Sequence, residues 1–239
     1  QLGGETVLFR HEKTFVNKTA LGVLVDEGMS DADVDARIAD FNRARIVRVG
    51  LTLRPEMIAV RAAGADKLDA LATKVAEETD AAIVLMCTDT AALEATATKL
   101  KDKKPLLYAA TTENVDAMAA LAKKTACPVA VRADSIDTVA EITTKLAAAD
   151  VKDIVVDLAA ANMKDAFESQ IHVRRAAIEK KVKEVGYPTI FLPFELTEDK
   201  NLEALYASVM VAKYASSIIM SEIPGHSLFA LLLERLNIY

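Results

Sequence analysis

The chain has 239 residues, 52% of them hydrophobic, and a formal net charge of −6. That length and apolar content are ample for a one-domain core, and the acidic balance argues against a general nucleic-acid surface. No apolar stretch approaches the roughly 18 residues that span a membrane, and the first residues lack the basic-then-apolar order of a secretory signal.

Residues 1–18 stand apart from the rest as linker and hairpin. Gly3-Gly4 reads as linker. Thr6–Arg10 and Thr14–Asn17 read as two short strands around His11-Glu12-Lys13. Gln1 at the start and the abrupt stop after Asn237-Ile238-Tyr239 lead us to expect a piece of a longer protein.

From residue 19 to 239 short apolar runs alternate with amphipathic stretches. The runs are Ala20–Val25, Met57–Val60, Ala82–Met86, Pro105–Ala109, Pro128–Val131, Val151–Val156, Pro188–Leu192 and Ser217–Met220. In the middle of the chain they recur at roughly 23–25 residues, the length of one strand, one helix and two short loops. Pro105, Pro128 and Pro188 each open a run, where a missing N–H is tolerated. The spacing predicts parallel strands with helical crossovers, an α/β fold of the (β/α)8 TIM-barrel type.

The helices carry their own marks. Ser30 caps a first helix with Val34, Ile38 and Phe41 inward. Leu68, Leu71 and Val75 repeat the spacing in the second. Asp89 caps the third, with Leu93, Ala97 and Leu100 inward. Thr111 or Thr112 opens the fourth, and Asp134 or Ser135 the fifth. The sixth is predicted long, from about Met163 to Val185, with Gly186 as its left-handed stop. The seventh carries the stripe Leu202, Leu205, Val209 and Ala212. The eighth begins near Ser227.

In such a barrel, chemistry sits on the loops that follow the strands. The polar residues there are Asp26, Arg61, Cys87 with Asp89, Thr111 with Asn114, Arg132, Asp157 and Glu195. Carboxylates and arginines on one rim can orient a polar ligand or act as acid and base. The same residues also have plain structural roles, Asp89 and Thr111 as helix caps and the arginines as partners of neighbouring acids. No GxGxxG, P-loop, HExxH or GxSxG pattern occurs. The histidines, His11, His172 and His226, are scattered. No CxxC exists, and Cys87 and Cys127 read as buried thiols in a reducing, cytoplasmic setting, so no metal is expected within this chain. His172, Arg174 and Arg175 form a basic spot on the sixth helix.

Several strings resemble one known family. Gly3-Gly4-Glu5-Thr6-Val7-Leu8-Phe9-Arg10-His11-Glu12-Lys13-Thr14-Phe15 is similar to the segment that opens the barrel domain in the large (gamma) subunit of corrinoid iron–sulfur proteins. Lys104-Pro105-Leu106-Leu107-Tyr108-Ala109-Ala110-Thr111 with Asn114, Ala126-Cys127-Pro128, Val173-Arg174-Arg175-Ala176-Ala177-Ile178 and Gly186-Tyr187-Pro188 resemble later stretches of that family, in order. So do Lys213-Tyr214-Ala215-Ser216 and Leu236-Asn237-Ile238-Tyr239. Asp157-Leu158-Ala159 departs from the family's Asp-Pro-Gly-like turn, and Glu234-Arg235-Leu236 from its more usual Arg-Gln pair.

The resemblance implies a methyl carrier of the acetyl-CoA synthase/decarbonylase (Wood–Ljungdahl) pathway of one-carbon metabolism. A methyl group passes from a methylated tetrahydropterin to a corrinoid (cobamide) cobalt and on to acetyl-CoA synthase. A 4Fe–4S cluster and the corrinoid are expected in other domains of the intact subunit, with none bound by motifs in this chain. The implied partners are the small subunit, as a heterodimer, a pterin methyltransferase and acetyl-CoA synthase, with no nucleic acid and no membrane. This portion is then mainly a scaffold and docking domain without catalysis of its own. The other reading is a pterin-binding methyltransferase-type barrel in which Asp26, Asn114 and Asp157 bond the ring. A lyase or aldolase barrel ranks last, because Lys152 and Lys213 lie at the wrong end of a strand or in a helix.

Overall fold

The computed structural model describes residues 17–213 and 215–238. The hairpin expected at Thr6–Arg10 and Thr14–Asn17 lies outside them, apart from Asn17. Eight parallel strands follow: β1 (Ala20–Asp26), β2 (Met57–Arg61), β3 (Ala82–Met86), β4 (Leu106–Ala110), β5 (Val129–Arg132), β6 (Ile154–Asp157), β7 (Ile190–Phe191) and β8 (Ser217–Met220). They pair in the order β6-β5-β4-β3-β2-β1-β8-β7. A parallel bridge between Val156 and Thr189 joins the two ends and closes the barrel. Helices α1 (Asp31–Arg43), α2 (Ala65–Glu78), α3 (Thr90–Lys99), α4 (Val115–Thr125), α5 (Ile136–Ala148), α6 (Met163–Ile178), α7 (Lys200–Lys213) and α8 (Gly225–Ile238) follow the strands in turn.

Strand alternation sets the two layers of the core. Val23, Val25, Ile58, Val60, Ile83, Leu85, Leu107, Val129, Val131, Ile154 and Val156 point outward and pack with the helices. Ala20, Leu24, Met57, Ala59, Val84, Met86, Leu106, Tyr108, Ala130 and Ile219 fill the barrel. Followed to the ends of the strands, the inward parity places Asp26, Arg61, Arg132 and Asp157 at one mouth. Ser30, Asp89 and Ser135 cap α1, α3 and α5 through their side chains, as their positions predict.

At the opposite end Arg235 of α8 is only 1% exposed. Its guanidinium donates to Thr19 O (2.8 Å), Arg54 O (3.0 Å) and Glu56 Oε2 (2.8 Å). Lys18 Nζ sits 2.7 Å from the other Glu56 oxygen. This buried group ties the last helix to the base of the barrel, on the Glu234-Arg235-Leu236 string that departs from the family pattern.

Four local expectations change. Asn114, not Thr111 or Thr112, is the residue that begins α4. The sixth helix ends at Ile178 rather than near Val185. Lys181 there turns left-handed (φ 57) and Gly186 stays at φ −83, because the chain leaves the helix to bury Val185 and half-bury Val182 against α5. The stripe predicted for α7 is rotated. Its inward face is Glu203, Ala207, Met210 and Val211, and Leu205 is 57% exposed. The reason is Glu203, whose carboxylate accepts from Ser221 N (2.5 Å) and Ser221 Oγ (2.6 Å) and so holds its own side of the helix inward. Finally, an antiparallel hairpin of Ile46–Arg48 and Leu51–Leu53 stands between α1 and β2, an element that the sequence pattern does not announce.

Candidate functional site

The mouth holds a cavity of about 580 Å³. Asp26, Arg61, Thr111, Asn114, Arg132 and Glu195 all line it, with Cys87, Met86 and Tyr108. Asp157 lies lower and is 6% exposed. Asp89 is absent from the lining because its carboxylate turns to Ala91 N at the start of α3 (2.9 Å). Glu195 reaches the mouth from a short 3-10 turn, Pro193–Glu195, directly after β7.

Most of these polar groups are bonded to one another or to their own loops. Arg132 Nη1 donates to Asp157 Oδ2 (2.9 Å), and both of its terminal nitrogens donate to Glu195 (3.0 and 2.8 Å), a two-point pairing that fixes the guanidinium plane. Tyr108 OH donates to Asp157 Oδ2 and accepts from Arg132 Nη1. Asp157 Oδ1 accepts from Ala159 N (3.0 Å). Asn114 braces its own loop, its Oδ1 accepting from Thr111 N (2.7 Å) and its Nδ2 donating to Ala109 O (3.1 Å). On the other side Arg61 Nε donates to Asp26 Oδ2 (2.6 Å), and its guanidinium lies 5.5 Å from the Phe194 ring centre.

Burial pushes the Asp157 carboxyl up, although Arg132 and Tyr108 pull the other way. Burial, with Asp157 beside it, pushes Tyr108 well above the ordinary phenol range. Burial alone would lower Arg132, but the Glu195 bonds and Asp157 outweigh it and hold the guanidinium charged. For Asp26, Arg61 and Gly28 N–H outweigh burial and bring the carboxyl down. Asp26 is thus paired with Arg61, and Asp157 and Glu195 with Arg132, while Glu27 and Glu113 also line the cavity. Burial raises the Cys87 and Cys127 thiols, the opposite of what reactive cysteines need.

Tyr108 is the residue that sequence reasoning missed. It reads as core in an apolar strand. Its one signal is a hydroxyl on an inward position next to the strand end, where only another mouth group can satisfy it. The basic spot on α6 is reduced, since Arg174 is buried.

A family model described as CO dehydrogenase/acetyl-CoA synthase delta subunit matches residues 1–239. The corrinoid/iron-sulfur protein large subunit of Moorella thermoacetica is 36% identical over 242 residues, covering 100% of this chain and 54% of that protein. The chain belongs to this corrinoid/iron–sulfur protein family. The acetyl-CoA decarbonylase/synthase complex subunit gamma of Archaeoglobus fulgidus is 31% identical over 252 residues, covering 100% of this chain and 53% of that protein. The chain thus spans about half the length of these relatives.

Solved structures support the barrel. Dihydropteroate synthase from Thermus thermophilus superposes with a TM-score of 0.67 over 93% of this chain and 95% of that one, at 11% identity. The Anaplasma phagocytophilum dihydropteroate synthase with bound 6-hydroxymethylpterin-monophosphate gives a TM-score of 0.65, also at 11% identity, over 93% of this chain and all of that one. At such identity the likeness concerns the fold.

The family name raises the question of an iron–sulfur cluster. A 4Fe–4S cluster takes four thiolates, and this family member's 239 residues hold two cysteines, both buried, so the cluster does not fit here. Among the described residues no group of three or more His, Cys, Asp or Glu side chains is arranged for a metal ion. Among the same residues no helix is long and apolar enough to cross a membrane.

Proposed function

We propose that this chain is the barrel domain of a corrinoid iron–sulfur protein large subunit and acts mainly as scaffold and docking domain. The whole subunit carries a methyl group from a methylated tetrahydropterin to acetyl-CoA synthase. The corrinoid and the 4Fe–4S cluster belong to other domains of that subunit. The partners are the small subunit, the pterin methyltransferase and acetyl-CoA synthase, in the cytoplasm. Membership of the family and the complex named for its relatives support this reading, and two unpaired buried thiols suit a reducing compartment.

One observation carries the scaffold role. Arg132, Asp157, Tyr108 and Glu195 are bonded to one another, Asp26 is bonded to Arg61, and Asn114 to its own loop. A pterin ring held by Asp26, Asn114 and Asp157 would share or displace those bonds. That opposes the second reading, in which Asp26, Asn114 and Asp157 hold the ring.

The test uses the full-length subunit assembled with its partners. Asp157→Ala and the milder Asp26→Asn are expected to leave corrinoid methylation by the pterin methyltransferase nearly intact. A large loss of methylation in either variant, with assembly unchanged, would sink the scaffold reading.

A further inference from the structure

The hairpin between α1 and β2 has no role in the barrel mouth. Its register pairs Ile46 with Leu53, Val47 with Thr52 and Arg48 with Leu51. Leu53 is buried and Ile46 half-buried, both against the cluster formed by α7 and α8. The base of the hairpin is therefore fixed while its tip projects. At the tip Val49 (φ 50) and Gly50 (φ 75) both occupy the left-handed region, as a two-residue hairpin turn requires. Glycine suits that geometry. A β-branched valine does not, and Val49 is 84% exposed, so nothing packed around it repays the conformation. Val47 (76%) and Leu51 (54%) flank it, equally uncovered.

Charge gives the second half of the argument. Four arginines, Arg43, Arg45, Arg48 and Arg54, fall between positions 41 and 55, which contain no acidic residue, in a chain of net charge −6. Arg43 pairs with Asp40 and Arg54 with Asp80. Among the described residues Arg45 and Arg48 have no ion-pair partner.

We propose that this hairpin is a docking knob that enters an apolar groove rimmed by carboxylates on a different polypeptide of the complex; the proposal rests on the scaffold reading above. Three uncovered aliphatic residues beside two arginines without an ion-pair partner among the described residues match the make-up of a protein interface, where arginine is enriched and lysine depleted. An anionic bilayer is a poorer fit, because such surfaces are held by clusters of about four to eight basic residues or by interfacial aromatics. A two-fold contact between hairpins of two copies sets Arg45 and Arg48 against like charges. An acidic partner gains from both features, and its basic contact point lies on an otherwise acidic chain.

A photo-crosslinking amino acid at position 47 of the full-length subunit, activated in the assembled complex and mapped by mass spectrometry, tests this. Crosslinks to a partner segment carrying Asp or Glu beside aliphatic residues are expected. Crosslinks confined to the same chain or to a second copy, or co-sedimentation with anionic phosphatidylserine vesicles in place of any partner crosslink, would overturn it. Two variants check the energetics. Val49→Gly relieves the turn, so its melting temperature should hold or rise while partner affinity falls by about tenfold. Arg45→Glu with Arg48→Glu should weaken binding more, and the deficit should shrink in high salt. Unchanged affinity in both sets removes the knob but leaves the scaffold reading standing, since that reading fails only through the methylation assay.

Discussion

Arg132 Nη1 lies 2.9 Å from Asp157 Oδ2, joining the last inward-facing residue of β5 to that of β6. Tyr108 on β4 and Glu195 after β7 complete the group, so four successive strand ends of the barrel meet in one network. Its members hold one another in place more than they present themselves to solvent.

Removing the shared acceptor should therefore cost stability. Asp157→Ala takes away the acceptor of the Tyr108 O–H and of Ala159 N–H, while Arg132 keeps Glu195 and the Tyr108 oxygen. A loss of about 3 kcal/mol is expected from buried donors left unsatisfied. Urea unfolding of the variant and the parent chain measures it, and a change under about 0.5 kcal/mol contradicts the network's role.

The two mouth acids should respond to pH in opposite senses. Burial raises Asp157, so the folded state binds its proton more tightly than the unfolded state does. Its contribution is fullest below the ordinary carboxylate range and declines as pH rises through its folded value. Burial alone would also raise Asp26, but Arg61 outweighs it and the carboxyl is lowered. Its contribution is present above the ordinary range and is lost as pH falls through its folded value. The stability gap between the parent and Asp157→Asn should shrink as pH rises, and the gap to Asp26→Asn should shrink as pH falls. Unfolding midpoints across an acid-to-neutral series check both signs.

At the base, Arg235 and Glu56 form a nearly buried pair, 2% and 9% exposed at their side chains. Arg235→Met leaves Glu56 with Lys18 and the Leu21 N–H (3.2 Å) and is expected to cost about 3–5 kcal/mol. Glu56→Gln in the same chain should recover part of that loss, because the uncompensated charge disappears. Additive losses in a double-mutant cycle would mean that the two residues act independently.

Gly22 on β1 faces the barrel interior. A Cβ there would lie 2.6 Å from Ile219 Cδ1 and 2.9 Å from Met57 O. The carbonyl is backbone paired in register with β1 and cannot step aside cheaply. Gly22→Ala should destabilise by about 1–3 kcal/mol through overpacking. A thermal melt of that variant matching the parent would contradict this packing.

The barrel is legible in the sequence because short apolar runs alternate with amphipathic stretches and recur evenly through the middle of the chain. The position just after each run exposes Asp26, Arg61, Arg132 and Asp157 as residues of one rim. Residues that depend on a distant partner are not legible. Glu203 faces inward because of Ser221, eighteen positions on, and so overrides the Leu202 and Leu205 stripe. Val185 draws the chain off α6 by packing against α5, which no local propensity announces. The three-residue strands at Ile46–Arg48 and Leu51–Leu53 are too short for a period to register. Tyr108 reads as core because its hydroxyl partners lie 24 and 49 positions away.

The central claim is that Asp26, Asn114 and Asp157 are held by their protein partners and that the barrel docks partners in place of binding the pterin. Calorimetric titration of the chain with methylated tetrahydropterin tests it most directly. The account predicts no saturable heat up to about 1 mM ligand, a bound near −4 kcal/mol. Saturable binding in the micromolar range, lost in Asn114→Ala or Asp26→Asn variants that remain folded, would contradict it.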